Sequence, residues 1–196
     1  MDKKQLLPIQ LYIFFSIVLS LIIKITDLLP QNSLTTSFAH IAINVFSLLE
    51  ISLIYYFLYA RLAGHWFRIL IITFYLTYVS ICFIFWTIEP NSFFSFAPFL
   101  FGIEGLLITI PCFCYLYEIL RSDLLIDLNS NANFIVTCGI LFYFSISIPT
   151  YLSWYNLHYL APGIDKLLLI SNSISYAILF ISFMKAYLCN IQEQKQ

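Results

Sequence analysis

Two glutamates stand inside stretches of sequence otherwise dominated by Leu, Ile, Phe and Tyr: Glu50 within residues 38–60 and Glu104 within residues 96–118. An ionisable group in such a setting is expensive, and it marks an ion pathway, a proton relay or a polar joint between helices. His40, Asn44 and Ser47 precede Glu50 at helical spacing. At about 100° per residue the four fall within an arc of about 120°, a polar stripe on the outer half of one helix with Glu50 near its midpoint. Glu104 shares a helical face with Pro111, Tyr115 and Glu118, and Asn172 lies beside Ser171, Ser175 and Ser182 in the last apolar stretch. One chemistry for these residues is a water-accessible pocket or pore lined by the second, fourth and sixth helices. There Glu50 and Glu104 would act as cation or proton ligands and His40 as a relay. The competing reading makes Glu50 a hydrogen-bonded joint to a Ser, Tyr or Asn of a neighbouring helix.

The elements that must carry these side chains follow from composition. Of 196 residues, 61% are hydrophobic, 19% aromatic and 10% charged, with a mean hydropathy of +0.91. Soluble domains carry about 25% charged residues, so this chain lacks the polar material to cover a globular surface in water. A water-soluble enzyme, a basic nucleic-acid binder and a disordered tail are thereby excluded, and no direct nucleic-acid partner is expected. Six apolar stretches each reach the length of about 20 helical residues that a bilayer requires. They run over about 11–29, 38–60, 67–88, 96–118, 134–152 and 167–188. Pro149 predicts a kink or frayed end late in the fifth. The intervening loops leave no room for an extramembrane domain, so the expectation is an all-α, single-domain, six-helix transmembrane bundle spanning residues 1–196.

The net charge of −1 names no partner, but its distribution orients the chain. With the N-terminus inside, Lys3, Lys4, Arg61, Arg68, Arg121, Lys185 and Lys195 face the cytoplasm and only Lys24 and Lys166 face outward. That bias predicts both termini in the cytoplasm and the inner membrane as the location. Trp66, Trp86 and Trp154-Tyr155 fall at helix ends, where amphipathic rings favour the interface. Lys24 and Asp27, three apart near the outer interface, read as a snorkelling local pair. Met1–Gln5 resembles a signal n-region, but no small-residue cleavage site follows, so the first stretch is expected to remain a span.

Signatures of membrane enzymes are missing: there is no His-Glu-x-x-His and no Gly-x-Ser-x-Gly. No catalytic residue and no cofactor is assigned. The five cysteines lie in apolar runs, where they behave as small hydrophobes, and no zinc site or disulfide framework is read from them. The surfaces able to meet a soluble partner are the two cytoplasmic loops, with Arg61, Arg68, Arg121 and Asp123 as docking candidates. Arg61 and His65 sit in a short turn suited to holding positive charge at the inner leaflet.

Three segments together resemble a large uncharacterised family of bacterial multi-pass membrane proteins with six or seven helices. Asn44-Val-Phe-Ser-Leu-Leu-Glu50 with Tyr55-Tyr-Phe-Leu-Tyr59 resembles its "N-x-[FY]-[ST]-L-[LI]-E" helix. Tyr115-Leu-Tyr-Glu-Ile-Leu-Arg-Ser-Asp123 and Gly139-Ile-Leu-Phe-Tyr-Phe-Ser145 are similar to its fourth-helix exit and its "G-x-x-x-[FY]" helix, and Asn172 with Tyr176-Ala-Ile-Leu-Phe180 to its last helix. The sequence departs from that pattern at Ile135, where a Trp is usual, and in having no additional N-terminal helix. In size and hydropathy the chain is also similar to small accessory membrane proteins of type VI CRISPR systems. Some members of the first family resemble sensor modules that accompany histidine kinases.

The expectation is therefore a non-enzymatic accessory or signalling protein working with a cytoplasmic partner, surrounded by membrane lipids and with room for homo-oligomers. A channel or membrane-permeabilising effector in phage defence, using the Glu50/Glu104 stripe, is the alternative. An intramembrane lipid enzyme using Asp27, His40 or Glu50 is the third reading.

Overall fold

The computed structural model describes residues 7–30, 33–121, 128, 130–153 and 164–193. These form six α-helices and no strand among the described residues: α1 Leu7–Leu28, α2 Ser33–Tyr59, α3 His65–Ile88, α4 Pro98–Arg121, α5 Ala132–Leu152 and α6 Ile164–Glu193. All six are long and apolar enough to cross a membrane. Leu28 is 87% exposed, Trp66 81% and Ile88 74%, a pattern that suits a lipid surround and would promote aggregation in water.

Several boundaries differ from those expected, for reasons of backbone chemistry. The second helix begins at Ser33, through Thr35 and Thr36, whose polarity hides it from a hydropathy reading. The fourth begins at Pro98 because proline, lacking an N–H, suits the first turn of a helix and forces the preceding residue out of helical geometry. Between α3 and α4 runs a short 3-10 turn, Pro90–Phe94. At the start of α5 the Asn131 side chain accepts a 3.0 Å bond from the Phe134 N–H and caps the helix.

Pro111 lies inside α4 and Pro149 inside α5, yet both helices continue. Proline at 111 removes the N–H that the Leu107 carbonyl would otherwise accept, an unsatisfied group at membrane depth. The Tyr55 hydroxyl of α2 donates to that carbonyl at 2.7 Å and repairs the loss. At 149 the chain ends the helix within a turn, with the Ser153 N–H donating to the Pro149 carbonyl.

The most extensive packing is of α5 against α4 and α6, with α1 against α2 and α4 also touching α2 and α3. Small residues allow the close approaches: a Cβ at Gly105 would lie 2.7 Å from Ile148 of α5, and one at Gly139 would lie 2.6 Å from Ser182 of α6. Tyr12 of α1 meets Phe183 of α6 edge-on at 5.6 Å, which closes the bundle around a core including Ile51, Ile54, Phe57, Ile108 and Ile140.

Candidate functional site

Within this bundle the polar stripe on α2 divides into two parts. At the end nearer the helix N-terminus, Asn44 Nδ2 donates to the carbonyls of Phe93 at 2.9 Å and Ser95 at 3.3 Å, and His40 Nδ1 lies 3.2 Å from the Phe94 carbonyl. These two side chains fasten α2 to the 3-10 turn, whose backbone carbonyls need partners. One turn further on, Ser47 and Glu50 enter two buried hydrogen-bonded sets, one reaching α1 and the other α3 and α4.

Glu50 is 5% exposed and Glu104 1%. Tyr12 of α1 donates its hydroxyl to Glu50 Oε1 at 2.8 Å. Ser47 donates to Glu104 Oε2 at 2.6 Å and shares a 2.5 Å hydrogen bond with the Tyr78 hydroxyl of α3. Tyr78 itself lies 3.4 Å from Glu104 Oε2. No hydrogen bond links the Tyr12–Glu50 pair to the Ser47, Tyr78 and Glu104 set among the described residues. Among the described residues, Glu104 Oε1 is buried without a hydrogen-bond partner. A carboxyl oxygen left so in a low-dielectric interior is a high-cost group, and a proton or a cation beside it would relieve that cost.

Asn172 belongs to a different joint. Ser147 of α5 donates to its Oδ1 at 2.8 Å, and its Nδ2 donates to the Tyr151 hydroxyl at 3.4 Å. Of the six intramembrane residues singled out from sequence, the structure thus brings together Ser47, Glu50 and Glu104, and puts His40, Asn44 and Asn172 elsewhere. The partners Tyr12 and Tyr78 come from α1 and α3, which the pattern of a single helix does not reveal. Lys24 and Asp27 are both exposed.

At the end of the bundle carrying the α2–α3 turn, Glu118 of α4 accepts from the backbone N–H groups of Ala63 at 3.0 Å and Gly64 at 2.8 Å. The carboxylate thereby holds the entry to α3, where orphan donors and the helix dipole favour negative charge. Gly64 makes room for it, since a Cβ there would lie 2.6 Å from Glu118 Oε1. Glu118 closes the apolar stretch expected over 96–118, whereas α4 continues to Arg121 and the Glu118 side chain reaches the α2–α3 turn.

Among the docking candidates, Arg61 Nε donates to Asn133 Oδ1 at 2.6 Å, and its Nη1 donates to the Phe57 carbonyl at 2.7 Å. Burial pulls its guanidinium down to about 10, still charged at neutral pH. Arg68 Nε donates to the Leu62 carbonyl at 2.6 Å. Both therefore stabilise the turn internally. Arg121 is exposed and lies 3.4 Å from the Tyr117 hydroxyl, and Asp123 is outside the described residues. Among the described residues no group of three or more His, Cys, Asp or Glu is placed to hold a metal ion.

No family model, curated protein or solved structure matches the chain. The functional reading accordingly rests on the site itself.

Proposed function

We propose that this chain is a non-enzymatic signalling or accessory subunit of the inner membrane, with both termini and the α2–α3 turn in the cytoplasm. The buried carboxylate network is its responsive element, and the turn clamped by Glu118 is the surface it offers to a cytoplasmic partner. The observation that carries this reading is Glu104 Oε1, buried with no partner among the described residues while Glu104 Oε2 accepts from Ser47. Supplying that oxygen with a proton or a cation alters the balance of forces between α2, α3 and α4. Glu118 lies fourteen residues further along α4, about 21 Å at helical rise. A small displacement of α4 reaches the turn along this one helix, across Pro111 where the Tyr55 hydroxyl stands in for the missing backbone bond, and its release would expose the donors of Ala63 and Gly64.

Conduction along the stripe has less support. His40 and Asn44 direct their hydrogen bonds to the 3-10 turn, and Glu50 and Glu104 are buried in contacts between helices. A lipid enzyme has less still, because Asp27 is exposed while His40 and Glu50 engage separate partners.

The experiment is ion flux through purified protein in liposomes, comparing wild type with Glu50→Gln. Liposomes that stay tight in both cases support the signalling reading. Flux that the substitution changes overturns it and makes the stripe a conduction path.

A further inference from the structure

A groove of 340 Å³ runs between α2 and α3, lined by Tyr55, Tyr56 and Tyr59 on one side and Ile71, Ile72 and Tyr75 on the other. Both sets repeat at helical spacing, so each forms a continuous stripe facing the other. Ser52 donates to the Tyr75 hydroxyl at 3.1 Å and closes the deep end. Tyr56 is 62% exposed and Ile72 47%, so the groove opens sideways, where lipid chains lie if the bundle is embedded.

Its other end carries a charge. Arg68 precedes Ile71 by three residues and Ile72 by four, which puts it on the same face of α3, and its guanidinium lies 5.5 Å over the Tyr59 ring. Only Nε is committed, to the Leu62 carbonyl, and the Nη groups make no hydrogen bond among the described residues. His65 is exposed one turn before. Glu118 supplies the opposing charge at this end, but its carboxylate is taken up by the Ala63 and Gly64 N–H groups.

We propose that this groove is a binding site for an anionic phospholipid, with one acyl chain between the tyrosine and isoleucine stripes and the headgroup phosphate on Arg68. The apolar trough and the cation at its mouth match the two ends of such a molecule, and a guanidinium offers phosphate a planar set of donors. The cytoplasmic leaflet, where the positive-inside bias puts this end, is where anionic lipids concentrate. The site is separate from the carboxylate network and stands or falls independently of it.

The test is native mass spectrometry of the purified full chain with equal amounts of phosphatidylglycerol and phosphatidylcholine. One basic residue near the surface predicts a preference for phosphatidylglycerol of about fivefold. Arg68→Gln should bring the ratio near parity, Arg68→Lys should keep most of the preference, and Arg121→Gln should leave it as in wild type. Ile72→Trp, which fills the trough from its lipid side, should lower occupancy by both lipids. The proposal is overturned if Arg68→Gln retains the preference. It is equally overturned if glycerol phosphate, which has no chain, displaces the lipid as well as phosphatidylglycerol does.

Discussion

The contact between the Tyr12 hydroxyl and Glu50 Oε1 crosses from α1 to α2 and is buried at both ends. Interhelical hydrogen bonds in membranes contribute about 0.6 kcal/mol on average and about 1.7 at most, because the unfolded helices also find partners in the bilayer. A double-mutant cycle of Tyr12→Phe and Glu50→Leu, read by unfolding in mixed micelles, should give coupling in that range. Coupling near zero would remove the contact from any structural role. Glu50, Ser47 and Glu104 were visible in the sequence because each is a polar residue in an apolar run. Tyr12 and Tyr78 were not, since fourteen tyrosines are spread through the chain and their spacing within one helix says nothing about which carboxyl they meet.

Among the helices, Pro111 and Tyr55 form a matched pair. Tyr55→Phe leaves the Leu107 carbonyl without a donor and should cost about 0.6–1.7 kcal/mol in unfolding free energy. In a Pro111→Ala background the restored backbone N–H can serve that carbonyl, so the same tyrosine substitution should cost much less. Equal costs in the two backgrounds would show that the hydroxyl does not replace the missing backbone bond. The α5–α6 contact is tested by Gly139→Leu, which drives a side chain into Ser182 and should destabilise by about 1–3 kcal/mol. Six spans were legible because hydropathy integrates over a whole helix. Their ends were less so: the polar Ser33–Ser37 segment, which opens α2, is held by backbone hydrogen bonds that hydropathy does not register.

For the molecule as a whole, α4 is the element that links the two polar centres. It carries Glu104 into the buried network and Glu118 onto the α2–α3 turn, so the two carboxylates cannot move independently while the helix stays rigid. The most direct measurement is amide hydrogen exchange of the α2–α3 turn in lipid nanodiscs, for wild type, Glu118→Ala, Glu104→Gln and Arg121→Gln. The Ala63 and Gly64 amides should be protected in wild type and in Arg121→Gln, and should exchange faster in Glu118→Ala, which deletes their acceptor. The account predicts that Glu104→Gln, about 21 Å away along the helix, also accelerates them. Protection unchanged from wild type in Glu104→Gln, with the loss in Glu118→Ala intact, would contradict it.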